Sequence, residues 1–236
     1  MSLIWSEEFD GPAGSPVDPD IWQPEVGGHG WGNEELQYYT EGTENASLDG
    51  AGNLAIVVRR SDSQYTSARL VSKDRVAFTY GLVQARIKLP TGRGIWPAFW
   101  MLGQNIDEVG WPQCGEIDVM ENVGQSPGVV HGTVHGPGYS GSSGVTAWHD
   151  GGRSLAGDFR VYSVDWERDR IRWFLDDELY STVTPADLRG NPWVFDHDFF
   201  LLVNVAVGGT LPGNPDPSVS FPQTMLIDYI RVYASG

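Results

Sequence analysis

The sequence predicts an all-β protein, an antiparallel β-sandwich, and three observations carry that prediction. Strand-length runs rich in Val, Ile, Phe, Trp and Tyr recur along the chain, separated by turn clusters drawn from 30 Gly and 15 Pro. Within several runs apolar and polar residues alternate with period two, the signature of a half-buried strand. Helical character is confined to one short stretch, Pro185 to Arg189, with Thr184 as its cap. A chain of 236 residues has room for one large all-β domain or two small ones. No linker, repeat or low-complexity tail divides it, so residues 1–236 read as a single domain whose polar, aromatic-bearing face forms a concave groove.

Ile4 to Asp10 reads as the first strand and Gly11 to Pro16 as the turn that ends it. Gly27 to Glu35 is rich in glycine but lacks the spacing of a phosphate-binding loop, and no helical pattern follows it. It is either an ordinary surface loop or a segment whose backbone approaches a ligand, with Trp31, Asn33 and Glu35 facing it. Gly52 to Arg60 and Ser67 to Ser72 are strand-like. In Gly81 to Leu89, Val83, Ala85, Ile87 and Leu89 alternate with Gln84, Arg86 and Lys88, so one face is wet.

After the turn Pro90 to Gly94, Trp96, Ala98 and Trp100 share a face of an extended run. Burial is the default for a single tryptophan, whereas two at this spacing, directly upstream of a cluster of acids, read as a stacking platform. His131 and His135 lie on one face of a later strand; a metal pair is the alternative there, but no third ligand has a recognisable spacing. Phe159 to Val183 reads as a hairpin or meander turning at Asp176-Asp177. Phe199 to Val207 is a strand buried on both faces and interrupted by Asn204, and Met225 to Tyr233 is the last strand.

The chemistry concentrates in Glu116-Ile117-Asp118-Val119-Met120-Glu121. Alternation puts Glu116 and Asp118 on one face and Ile117 and Val119 on the other. Glu121 falls on the apolar face of a regular strand, where an unpaired charge costs several kcal/mol. One extra residue, a β-bulge near Val119 or Met120, returns it to the face of the other acids. Carboxylates gathered on one face repel and raise at least one pKa, which a fold tolerates mainly at a working site. A calcium site or solvated surface charges are the alternatives, but calcium prefers a loop with Asp, Asn and Gly spacing, and this segment is apolar and strand-like. The working reading is a nucleophile and a general acid/base tuned by a third acid.

The net charge of −16 argues against nucleic acid and anionic membranes and fits a neutral or cationic partner. No run of apolar residues is long enough to span a bilayer. Ten Trp suit stacking on flat apolar faces such as sugar rings. The one cysteine, Cys114, has no partner for an internal bridge and reads as a buried filler rather than a reactive thiol.

The acid strand resembles that of glycoside hydrolase family 16, in the form with an additional residue before the second Glu that is typical of its laminarinase-like branch. Trp5 to Asp10, Trp31 to Thr40, Tyr65 to Leu70, Trp96 to Leu102, Thr133 to Gly136, Asn204 to Gly209 and Asp228 to Tyr233 match other blocks of that family in order. The resemblance implies a jelly-roll sandwich with its cleft across the concave sheet. It also implies retaining endo-hydrolysis of 1,3-β-glucans such as laminarin through a glycosyl-enzyme intermediate, which needs two carboxyls about 5–5.5 Å apart. Glu116 is then the nucleophile and Glu121 the acid/base, its proton held by the charges of Glu116 and Asp118, while Asp118 hydrogen-bonds Glu116. Trp96 and Trp100 stack on glycone rings, Asn33 and Arg69 bond hydroxyls there, His135 contacts the leaving-group side near Glu121, and Trp111 walls the cleft.

No cofactor is expected for catalysis. The resemblance adds a structural calcium away from the cleft at Glu8, Gly52 and Asp228, mainly through backbone oxygens. The expected partner is a neutral β-glucan bound by a monomer. Secretion is expected from a polymeric substrate, although Met1-Ser2-Leu3 carries no basic and apolar leader. The alternatives are a non-catalytic, lectin-like glucan-binding domain, or a relative acting on mixed-linkage glucan or another β-linked polysaccharide.

Overall fold

The alternation read along the chain folds into two sheets, one of ten strands and one of eight. The structure, a computed structural model, describes residues 1–234. The eight-stranded sheet runs Val145–Asp150, Val129–His135, Glu116–Glu121, Ile95–Gly103, Phe199–Val207, Arg69–Val71 and Gln23–Pro24, with Ala77–Phe78 also on Phe199–Val207. The centre of the ten-stranded sheet is Arg170–Leu175, Arg160–Glu167, Gly81–Lys88, Gln223–Tyr233 and Leu54–Ser61. Among the described residues pairing is antiparallel apart from Gln37–Tyr39 beside Gln64–Ser67, which is parallel.

The core lies between the sheets because each strand turns one apolar face inward. Val83, Ala85 and Ile87 meet Trp166 and Trp173 from the ten-stranded side, and Phe99, Ile117 and Val203 from the other. Val83, Ala85 and Ile87 are fully buried, while Gln84, Arg86 and Lys88 stay partly exposed, as the alternation requires. Phe199–Val207 is buried at every position: Val203, Val205 and Val207 enter the main core, and Leu202 joins a smaller cluster with Leu102 and Cys114.

Several boundaries move for local reasons. The first strand is Leu3–Glu7, because the Phe9 amide bonds Glu7 Oε1 at 2.9 Å and Phe9 takes φ of +52°, turning the chain before Asp10. The strand expected from Gly52 begins at Leu54, since Asp49 Oδ1 accepts from the Ala51 and Asn53 amides and holds that segment in a turn. Ser67 to Ser72 is not one strand: it divides at Ala68 into Gln64–Ser67 and Arg69–Val71, which belong to different sheets. The helical stretch is a 3₁₀ turn over Pro185–Leu188, closed at its start by a Thr184–Asp187 capping box. Two further short helical turns, Ile106–Val109 and Gly141–Ser143, have no periodic signal in the sequence because each is a single turn without buried residues.

Candidate active site

The bulge expected in the acid strand forms. Against the tryptophan strand Ile95–Gly103, Phe99 pairs with Met120 and Trp100 with Asp118, so Val119 is the extra residue. The pairing with the histidine strand Val129–His135 shifts at the same place, between Asp118 and Glu121. Val119 and Met120 both enter the core, and Glu121 joins Glu116 and Asp118 on the cleft face. A regular strand would have turned Met120 to the cleft and Glu121 to the core.

A bulge interrupts the ladder and leaves backbone groups in need of other partners. Here the buried Trp173, on the opposite sheet, donates its indole Nε1–H to the Asp118 carbonyl at 2.8 Å. Gly132 makes room for that indole: a Cβ there would lie 2.4 Å from Trp173 Cδ1 and 2.7 Å from Nε1. Gly132→Ala is therefore expected to cost about 1–3 kcal/mol of stability by overpacking and to lower kcat by tilting the bulge. Urea unfolding beside a turnover assay checks this; no change in either would mean that the indole does not support the acids.

The acids line a cleft of about 690 Å³ that crosses the strands of the eight-stranded sheet. Asn33, Arg69, Trp96, Trp100, Trp111 and His135 line the same cleft, so the sequence-assigned catalytic and substrate residues converge. Trp111 Nε1 donates to Glu116 Oε2 at 2.6 Å, and Trp96 Nε1 donates to Glu121 Oε1 at 3.0 Å. Trp111 thus touches an acid as well as walling the cleft, and Trp96 orients an acid as well as offering a ring face.

Burial is the largest cause of the raised pKa values, ahead of the neighbouring charges that the sequence suggests. Burial and the Asp118 charge push Glu116 up to about 8, and burial and the Glu116 charge push Glu121 up to about 7. Burial and Glu121 hold Asp118 well above the usual carboxylate range. Acids this close titrate as a group, and the higher value at Glu116 runs against its part as the anion. One indole donates to each acid, Trp111 to Glu116 Oε2 and Trp96 to Glu121 Oε1, and Glu116 also has the His135 imidazole 3.9 Å from Oε1.

His135 lies against Asp118 and Glu116 and also acts electrostatically on Glu121. The register sets it opposite Glu116, with Nε2 3.2 Å from Asp118 Oδ2, and sets His131 opposite Glu121. The bulge lies between Asp118 and Glu121 and so decides only the second of these pairings: in a regular ladder Glu121 would face Val130. The 3.2 Å approach is not aligned as a hydrogen bond, so Asp118 Oδ2 is left without one. Asp118, Glu116 and His135 also offer ligand atoms within 4.8 Å of one another, a spacing that a cation could span.

On the other side of the acids, Trp100 is only partly available as a platform. The Arg69 guanidinium lies over its ring at 4.7 Å and over Trp31 at 4.7 Å, and it pairs with Glu25. Trp100 Nε1 donates to Asn204 Oδ1 at 2.8 Å, and Asn204 Nδ2 reaches the Tyr39 hydroxyl at 3.0 Å. Asn33 Nδ2 donates to Glu35 Oε1 at 3.1 Å and Gln37 Nε2 donates to Glu35 Oε2 at 2.6 Å, so Glu35 fixes the loop from within the cleft.

The family model for glycosyl hydrolases family 16 matches residues 32–230. The chain belongs to that family. It is 48% identical to the laminarinase catalytic domain of Thermotoga maritima, with a TM-score of 0.92, covering 98% of this chain and 97% of that one. It is 46% identical to an endo-β-1,3-glucanase of Pyrococcus furiosus, again with a TM-score of 0.92, covering 99% and 95%. A β-glucanase of Rhodothermus marinus is 45% identical over 98% of this chain and 84% of its own length. The two sheets are accordingly the jelly-roll sandwich of family 16.

In this family 16 chain, Glu8, Gly52 and Asp228 lie apart from the cleft. The register pairs Glu7 with Ile230 and Leu54 with Ile227, which brings all three to the middle of the Gln223–Tyr233 strand. Both carboxylates there are engaged, Glu8 with Arg231 at 2.8 and 2.9 Å and Asp228 with Arg86 at 2.6 Å. What remains for a cation is main-chain oxygen, and Asp228 sits where the pairing with Gly81–Lys88 shifts, so the ladder is open at that residue. The donor set fits the oxygen-rich preference of calcium.

Cys114 is fully buried, and burial together with the Glu116 charge pushes its thiol up to about 11, so it is the inert filler expected. Sequence reasoning left out His131, Asn204 and Thr146 from the cleft lining. Asn204 had a signal, as the polar interruption of an apolar run. His131 had one too, as the partner of His135 in alternation; only the register reveals which imidazole faces which acid.

Proposed function

We infer that this chain is a retaining endo-hydrolase of 1,3-β-glucans. The observation that carries the reading is the bulge at Val119, which turns Glu121 to the cleft face it shares with Glu116, each acid held by an indole donor. Glu116 attacks the anomeric carbon while Glu121 protonates the glycosidic oxygen, giving a glycosyl ester and a freed leaving chain. Esterification removes the Glu116 charge, one of the causes that raise Glu121. Glu121 therefore becomes more acidic, sheds its proton to the leaving group, and takes one from the incoming water. Asp118 keeps a charge or proton between the two through both steps.

A neutral substrate is supported by the cleft itself. Its lining is acidic at Glu35, Glu116, Asp118 and Glu121, and its one arginine, Arg69, already pairs with Glu25. A sulfated or carboxylated chain meets repulsion there. Product analysis on laminarin, lichenan and agarose side by side tests the reading. Oligosaccharides released from laminarin in the β configuration are expected, with less from lichenan and none from agarose. Binding of laminarin with no new reducing ends would instead establish a lectin-like domain. The protein is secreted in this reading, supported by a substrate too large to enter a cell.

A calcium ion held by main-chain oxygens near Glu8, Gly52 and Asp228 is part of the same proposal. Saturating calcium at about 100 times its Kd adds about 2.7 kcal/mol, or roughly 5–10 °C in Tm for a chain of this size. Calorimetry of chelated protein with and without calcium measures it, and an unchanged Tm removes the site.

A further inference from the structure

The cleft face carries an aromatic side chain that none of the steps above uses. Glu121 stands opposite His131, and His131 opposite Trp148 on the rim strand Val145–Asp150. Directly opposed residues on neighbouring strands project to the same face. Glu121 and His131 line the cleft, so Trp148 is on the cleft side of the sheet. Alternation along the rim strand agrees: Thr146, Trp148 and Asp150 are exposed, Val145, Ala147 and His149 are half-buried, and Thr146 lines the cleft. The rim strand ends the eight-stranded sheet, and Trp148 is 67% exposed. An indole is ordinarily largely covered; this one is an open apolar plate in line with the acid/base residue.

Trp148 lies two strand spacings from Glu121, about 10 Å, which is the reach of two sugar rings. Arg69, Trp100 and Asn33 occupy the opposite side of the acids, so the His131 side is where the leaving chain departs. We propose that Trp148 is a stacking platform for the second sugar ring on the leaving-group side, taking the apolar face of a β-linked glucosyl residue. It rests on the glucanase reading above and adds to it a determinant of chain length and of acceptor binding. A platform there holds an acceptor sugar in place of water at the glycosyl-enzyme, so it also favours transfer over hydrolysis.

The test compares Trp148→Ala and Trp148→Phe with the parent enzyme on two substrates. Laminarin reaches the rim; an aryl β-laminaribioside, with only a small ring beyond the cleaved bond, does not. Trp148→Ala is expected to lower kcat/KM on laminarin about tenfold, mainly through KM, the equivalent of about 1.4 kcal/mol. The aryl glycoside should change less than about twofold, and Trp148→Phe should recover most of the laminarin activity. Transfer to added laminaribiose should fall in Trp148→Ala. Equal losses on both substrates would make Trp148 a structural residue, and unchanged laminarin kinetics would refute the platform.

Calorimetric affinity for laminarihexaose, measured in a Glu116→Gln background, gives a readout that needs no turnover. A Trp148→Ala affinity equal to that of its background would refute the platform. A wild-type chain that binds the hexaose but cleaves neither substrate would defeat the glucanase reading and leave the platform standing on its affinity difference.

Discussion

Glu116→Gln is expected to lower kcat on laminarin on the order of 10⁴-fold or more while raising thermal stability at neutral and alkaline pH. The amide keeps the shape and the Trp111 hydrogen bond but cannot form the glycosyl ester. The stability change follows from linkage. Below the unfolded value of 4.5 both folded and unfolded chains hold the Glu116 proton, and the group contributes nothing. As pH rises from there toward about 8 the unfolded chain releases a proton that the folded chain retains, and stability falls. Removing the carboxyl removes that loss. At pH 8 the gain is of order 4 kcal/mol, about 8–16 °C in Tm, and it should vanish near pH 4. Differential scanning calorimetry across that range checks it; a variant less stable than the parent at pH 8 would show that the acid is not held at a cost to the fold.

Glu121→Gln is expected to lose about 10²–10⁴-fold on laminarin and much less in the first step with an activated aryl leaving group, which departs without a proton. The glycosyl-enzyme then accumulates, because water attacks slowly without a base. Azide needs no deprotonation and should restore turnover, giving a glycosyl azide of retained configuration. The pH profile supplies a second readout. The parent should show a bell whose limbs belong to the coupled acids, with protonation of Glu116 closing the acid side and loss of the Glu121 proton closing the alkaline side. The alkaline limb should disappear in the variant. If azide fails to rescue, or the alkaline limb persists, Glu121 is not the acid/base.

These two residues also mark how far the chain could be read. The strand alternation in Gly81–Lys88, the buried run Phe199–Val207 and the capping signal at Thr184 were legible because each depends on neighbours in sequence. The bulge was legible for a different reason: Glu121 in a regular strand would be a charge in the core, a large local conflict with few resolutions. Its position between Asp118 and Glu121 agrees with the register.

What the sequence left open depends on contacts between distant segments. The sequence places His135 near Glu121, but the register sets it opposite Glu116 and the bulge gives Glu121 His131 as its partner, and register is a property of two strands together. Trp100 read as an open platform until Arg69, on a strand two places away in the sheet, lay over it. Trp173, more than fifty residues from the acids, holds the bulge carbonyl from the opposite sheet, and nothing in its own neighbourhood announces that role. By itself the sequence determined the strand pattern, the acids and their common face, because side-chain period and the cost of buried charge are local. The tertiary structure alone decided the partner of each acid and the order of rings along the cleft, because register and packing join residues that the chain keeps far apart.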